Sequence, residues 1–156
     1  MALEIEYKYL VKDLSFQEHI SESHEIAQGY LSREKGRTVR VRTCDDKAYI
    51  TIKGPNSGAA RAEFEYEIPH RDALELLQLC APPILRKTRS IVLFDHNRWE
   101  IDVFHDQLDG LILAEIEVPA KDFQFNLPPF IGRDVTLDRR FYNSCLTDFD
   151  SLKSSL

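Results

Sequence analysis

This sequence is short of several things, and each shortage removes a class of protein. It has no basic excess: 20 Lys and Arg stand against 26 Asp and Glu, for a net charge of −6. A surface built to hold a nucleic-acid polymer needs the opposite sign, so that class is set aside, although an acidic chain can still concentrate bases in one pocket. It has three cysteines, Cys44, Cys80 and Cys145. They are odd in number and far apart, which gives neither a disulfide framework nor metal-site spacing and fits a reducing compartment. No apolar run approaches the roughly 20 residues of a membrane span. Glu4 and Glu6 stand where a signal peptide would need a greasy stretch, so the expected location is cytoplasmic with no membrane association. Low-complexity tracts and linkers are missing too, and 156 residues are read as a single domain, 1–156.

What the chain does have is alternation. In the first stretch Leu3, Ile5, Tyr7, Tyr9 and Val11 fall on one parity, with Glu4, Glu6 and Lys8 on the other. Successive side chains of a strand point to opposite faces, so this is a strand with one apolar and one charged face. The layout recurs along the chain. Strands are expected over 25–33, 37–44, 47–53, 61–68, 84–95, from 98 to about 103, and 111–118. Turns are expected at Glu34-Lys35-Gly36, Asp45-Asp46, Asp95-His96-Asn97 and Asp109-Gly110. Helices are expected over 13–24, with Asp13 or Ser15 as cap, over 72–80 until Pro82-Pro83, and over 138–152.

The polar parity is densely ionic. Glu4, Glu6, Glu63, Glu65, Glu67, Glu100, Asp102, Glu115 and Glu117 are matched by Lys8, Arg40, Arg42, Lys53, Arg61, Lys87, Arg89 and Arg98. A sandwich would bury the apolar faces together and leave all of these in water. Three features favour the reverse. Thr, Ser and Gln, which dilute an exposed sheet surface, are few. The acids come as Glu-x-Glu pairs, which repel unless a cation bridges them, and the bases come as Arg-x-Arg and Lys-x-Arg, which want an anion. Eight antiparallel strands can also close on themselves and abolish their edges. The pattern admits both arrangements and favours the second. That is an α+β fold in which a closed eight-stranded antiparallel barrel has a charged lumen and helices packed outside. Such a tunnel suits a hydrated cation together with a polyanion.

Several stretches, in order, resemble the CYTH superfamily, also called triphosphate tunnel metalloenzymes. Glu4-Ile5-Glu6-Tyr7-Lys8 is similar to its opening Glu-x-Glu-x-Lys, although Tyr7 stands where many relatives have arginine. Gln28-Gly29-Tyr30-Leu31, Arg40-Val41-Arg42, Lys53 before Gly-Pro, Glu63-Phe64-Glu65, Lys87-Thr88-Arg89 and Glu115-Ile116-Glu117 follow in the family's sequence. Val135-Thr136-x-Asp138 with Arg140, Tyr142 and Asn143 resembles its C-terminal block. The likeness covers nearly the whole chain and points to a compact bacterial, tripolyphosphatase-like member without an appended helical domain.

The resemblance implies a Mg²⁺- or Mn²⁺-dependent hydrolase of triphosphate-containing substrates, inorganic tripolyphosphate first, working through metal-activated water. The implied metal ligands are Glu4, Glu6, Glu63, Glu115 and Glu117, with Glu65 or Asp102 as further candidates. The implied phosphate clamp is Lys8, Arg40, Arg42, Lys53, Lys87, Arg89 and Arg140. Glu4, Glu6, Lys8, Lys53 and Glu63 carry catalysis in this reading. Adenylate cyclase and thiamine triphosphatase are the alternatives within the family, and a non-catalytic polyphosphate- or nucleotide-binding module is the alternative outside it. Glu67, Arg61 and Arg98 are read as rim ion pairs, Tyr30 as packing or as a gate to the tunnel, and His105 as having no role. Exposed apolar residues on a C-terminal helix would admit a homodimer.

Overall fold

The computed structural model describes residues 3–156, in which nine strands form one antiparallel sheet. They are β1 (Leu3–Val11), β2 (Ile20–Ser32), β3 (Thr38–Cys44), β4 (Lys47–Lys53), β5 (Ala60–Ile68), β6 (Ala81–Phe94), β7 (Asn97–Phe104), β8 (Ile112–Glu117) and β9 (Ile131–Asp134); one α-helix, α1 (His70–Leu79), lies between β5 and β6. The sheet order is β5-β4-β3-β2-β6-β7-β8-β1-β9, and β1 also pairs with β5. That last pairing, Leu3 opposite Ala62 to Ile5 opposite Ala60, closes β1–β8 into an eight-stranded barrel. β9 flanks the far half of β1.

The register decides what faces inward, because directly opposed residues of an antiparallel pair share a face. Lys8 opposes Glu115, Glu115 opposes Glu100, Arg89 opposes Asp102, and Gln28 opposes Arg42. Tyr30 opposes Arg40, Arg40 opposes Thr51, Lys53 opposes Glu63, and Arg61 opposes Glu4. The charged parities of all eight barrel strands therefore face one lumen. Their apolar parities point outward; most of that surface is covered, while Ile52 on β4 and Phe64 and Tyr66 on β5 stay exposed. Trp99, Ile101, Ala114, Ile116 and Val92 pack beneath the 3-10 turn Ser15–His19 and the segment after β8, through Phe16, Phe125 and Phe130. The Trp99 ring lies 5.8 Å from Tyr9 and 5.9 Å from Phe125. Tyr7, outward as its parity requires, packs its ring at a tilt against Phe125. α1 covers Val41 and Ala48 with Ala73. At its C-terminal end a Cβ on Gly29 would lie 2.7 Å from Ile84 Cδ1 and 2.8 Å from Cys80 Cβ, so only glycine fits that approach of sheet to helix.

Two expected helices are corrected. The 13–24 segment is helical only as the 3-10 turn Ser15–His19, and β2 begins at Ile20. Neither Asp13 nor Ser15 takes the N-cap position, which is Leu14 without a side-chain cap bond; Asp13 Oδ1 accepts from Ser15 N at 2.9 Å in a local turn just before it. Residues 21–24 alternate Ser with charged or imidazole side chains, and pairing with the long β6, from Ile20 opposite Val92, supplies their backbone partners. The 138–152 segment is not a helix either. It is a chain of 3-10 turns, Arg139–Phe141, Asn143–Cys145 and Asp150–Ser155.

The apolar residues of this C-terminal segment are used within the chain. The inward parity becomes apolar at one end of the barrel, at Leu10, Leu85, Phe104, Leu111 and Leu113, and Val135, Phe141, Leu146 and Leu152 pack onto it. Phe141 is fully buried there. The barrel is thus plugged at the end that carries the β2–β3, β4–β5 and β7–β8 connections. The opposite end, with the β3–β4 and β6–β7 turns, is the mouth. The apolar surface expected to invite a homodimer is largely this plug. Among the described residues no helix is long and apolar enough to cross a membrane.

Candidate active site

The lumen holds a cavity whose lining includes Glu6, Lys8, Tyr30, Arg40, Lys53, Lys87, Arg89 and Glu115, with Asn143 and Ser144 from the plug. Glu6, Glu100 and Glu115 converge, with one oxygen of each inside a 4.8 Å cluster. Strand geometry explains this: Glu6, opposite Glu117 and two residues from Lys8, lies diagonal to Glu115, and Glu100 and Glu115 are direct cross-strand partners. Burial first, then the charges of Glu115 and Glu4, push the Glu6 carboxyl well above its ordinary range. Burial pushes Glu115 up as well, but Lys8, Arg89 and Lys87 outweigh it, and a hydrogen bond with Glu6 helps hold it well below. The pair shares a proton, and three converging carboxylates form an all-oxygen donor set that suits a hard divalent cation in place of that proton.

A second acid pair sits beside the first. Lys53 Nζ lies 2.9 Å from Glu4 Oε1 and 3.2 Å from Glu63 Oε2. Burial lowers the Lys53 ammonium, but Glu6 and Glu4 more than offset this and raise it. Glu63 is pushed up to about 7, by burial first and then by its hydrogen bond to Glu4. The native state therefore keeps a proton on Glu63 that the unfolded chain loses near its ordinary 4.5. Its contribution is fully present below 4.5 and is lost as pH rises through about 7. In metal-free protein, the parent should lose stability relative to Glu63→Gln as urea midpoints are followed from acid to neutral pH. Parallel pH profiles for the two proteins would contradict the shared proton.

Asp102 is completely buried and holds the far wall. Arg89 grips it with two hydrogen bonds, Nε to Oδ1 and Nη2 to Oδ2, each 2.8 Å, and Lys87 Nζ lies 2.8 Å from Oδ2. Burial lowers the Lys87 ammonium to about 8 despite Asp102 and Glu115. Arg89 also reaches Glu100 at 3.1 Å and Glu115 at 3.8 Å, linking the carboxylate cluster to the cationic wall. Arg40 and Arg42 share Glu65 at 3.5 and 3.4 Å. The buried Nε groups of both arginines have no hydrogen-bond partner, so this wall has donor capacity to spare.

The metal set expected from the sequence is thus divided. Glu6 and Glu115 are brought together, Glu4 and Glu63 gather on Lys53, and Glu117 sits exposed at the rim. Glu65 is tied to Arg40, Arg42 and Thr51, and Asp102 to Lys87 and Arg89. Glu100 takes the third place in the cluster, a role its sequence position did not suggest. A hairpin centred on Asp109-Gly110 would not put it opposite Glu115. The 3-10 turn Asp106–Leu108 lengthens that connection and shifts the register. Arg140 is not brought to the cavity lining: it is exposed and bonded to Asp138 and Ser155. Asn143 was also missed. Its Oδ1 accepts from Gln28 Nε2 at 2.9 Å and Lys87 Nζ at 3.0 Å, fastening the plug to the cationic wall, while Lys8 Nζ donates to Phe141 O. Arg61 lines the cavity 3.9 Å from Glu4, and Tyr30 lines it while buried.

Comparison with known proteins gives a consistent picture. Residues 2–146 match the CYTH domain. An inorganic triphosphatase of Acetivibrio thermocellus is 41% identical over 147 residues, covering 94% of each chain. One from Nitrosomonas europaea is 32% identical over 147 residues, covering 92% of this chain and 95% of its own. A crystal structure described as an inorganic triphosphatase superposes with a TM-score of 0.67 at 28% identity, covering 94% of this chain and 95% of the other.

Proposed function

This chain belongs to the CYTH domain family, and from that premise we propose that it is a metal-dependent hydrolase of inorganic tripolyphosphate, cleaving a phosphoanhydride bond inside the barrel. The observation that carries the proposal is a single lumen in which Glu6, Glu100 and Glu115 converge beside Lys8, Arg40, Lys53, Lys87 and Arg89. The names of the two relatives support the same substrate class.

Mg²⁺ or Mn²⁺ would be held by Glu6, Glu100 and Glu115. Bound there, it would neutralise phosphate oxygens and make water more acidic. The chain's own groups do the rest. Lys87 and Arg89 from one wall, and Arg40, Arg42 and Lys53 from the other, hold the phosphate oxygens in line and offset the charge that spreads over them at the transition state. Lys8, anchored on Phe141 O, bridges the carboxylate cluster and the plug. Glu63, poised near neutrality beside Glu4, is the residue suited to take a proton from the attacking water. No covalent nucleophile is required.

The test is product analysis with tripolyphosphate, ATP, thiamine triphosphate and pyrophosphate side by side, with and without Mg²⁺. Tripolyphosphate should be cleaved to pyrophosphate and phosphate with the highest kcat/KM, because pyrophosphate is too short to engage bases on opposite walls. Formation of cyclic AMP from ATP with tripolyphosphate left intact would overturn the hydrolase reading in favour of a cyclase.

A further inference from the structure

We propose that His24, Cys44 and Asp45 form a second metal site, for a borderline or soft transition ion such as Zn²⁺, at the mouth of the barrel. One ligand atom from each lies within a 4.8 Å cluster. The three come from adjacent strands at the unplugged end. His24 is on β2 opposite Arg89, Cys44 ends β3 opposite Ile26, and Asp45 opens the β3–β4 turn in the left-handed region at φ 54°.

The site is braced. Asp45 Oδ1 accepts from Glu25 N at 2.9 Å, which turns Oδ2 toward His24 Nδ1 at 2.7 Å. The other ring nitrogen of His24 lies 3.7 Å from the exposed Glu22 carboxylate, beyond hydrogen-bond distance. Metal–ligand bonds of about 2.0–2.3 Å would replace the direct His24–Asp45 hydrogen bond, the two atoms parting to admit the ion while Cys44 closes on it. A nitrogen, sulfur and oxygen set selects against Mg²⁺ and Ca²⁺, which take oxygen, and favours Zn²⁺ and its neighbours. It is therefore chemically distinct from the all-carboxylate cluster deeper in the lumen. His24 is partly exposed, and three protein ligands would leave a fourth position for water or substrate. An ion held here adds positive charge on the way in to Arg42 and Arg89, where it would act on an arriving polyanion.

The competing account is a plain His24–Asp45 ion pair that closes the turn, with Cys44 a bystander. Titration of the full chain with Co²⁺ in excess Mg²⁺ separates the two, because Mg²⁺ occupies the oxygen cluster and does not compete for a thiolate. A near-ultraviolet thiolate-to-cobalt band should appear, saturate at a single site and be abolished by Zn²⁺. It should survive in the Cys80→Ser/Cys145→Ser double variant and vanish in Cys44→Ser. His24→Asn should weaken binding by at least about tenfold. In the unaltered chain Zn²⁺ should also protect Cys44 from alkylation, a reading that does not depend on any variant folding. The absence of the band in the parent, its survival in Cys44→Ser, or alkylation of Cys44 unaffected by Zn²⁺ would overturn the site.

Discussion

Replacing Glu6 by glutamine is expected to cut tripolyphosphate turnover by about 10²–10³-fold while leaving the metal-free protein at least as stable as the parent. The two halves of this result have one cause. Burial and the neighbouring Glu115 and Glu4 charges keep Glu6 protonated without a cation, and that proton bonds Glu115. Glutamine reproduces the neutral hydrogen-bonding form, so the empty lumen loses nothing and like-charge repulsion is relieved. What it lacks is the second state, a carboxylate able to join Glu100 and Glu115 around a divalent ion. Activity in saturating Mg²⁺ and thermal melts in chelator read the two halves separately. Parent-like turnover would remove Glu6 from the metal site, and a large loss of metal-free stability would mean that it is ionised in the empty barrel.

Asp102→Asn should act in the opposite way, as a stability lesion first. Its carboxylate is fully buried and is the shared counter-charge of Lys87 and Arg89. Breaking a buried pair from one side costs about 3–5 kcal/mol, because the remaining cation is left uncompensated. For a chain of this size that corresponds to roughly 6–20 °C in melting temperature. Lys87, already down at about 8, can shed its proton and bring the cost toward the lower figure. Burial raises the Asp102 pKa, but Arg89 and Lys87 outweigh it and depress it. The stability it confers is therefore present above the unfolded-state value and lost as pH falls through the folded one, so the gap between parent and variant should close in acid. Tripolyphosphate should narrow the gap too, since it supplies the missing anion to the same two bases. A variant as stable as the parent at neutral pH would show that the pair is not the organising contact of that wall.

Much of this was legible in the chain because a strand reports its two faces directly. Once Glu4, Glu6 and Lys8 oppose Ile5, Tyr7 and Tyr9, the only open matter is which face is inside, and the Glu-x-Glu and Arg-x-Arg repeats favoured the charged one. The misses share a cause, which is that they depend on partners distant in sequence. Residues 20–24 read as helix because their strand exists only by pairing with the upper half of β6. The C-terminal apolar residues read as a helix stripe because nothing local shows that the inward parity turns apolar at Leu85, Phe104 and Leu113 and needs a plug. Glu100 was counted on the right face but could not be matched to Glu115 without the register of the β7–β8 connection. Arg140 matched the family's C-terminal block, yet Asp138, two residues away, holds it outside.

The central claim is that the lumen, rather than the outer surface, receives a polyanion. Thermal melts in chelator, with and without tripolyphosphate, address it before any chemistry begins, for the parent and for Arg40→Ala. At about a hundred times the dissociation constant the ligand should stabilise the parent by about 2.7 kcal/mol, a rise of roughly 5–11 °C, and Arg40→Ala should lose most of that gain. No shift in either protein, or an equal shift in both, would contradict binding between the two cationic walls.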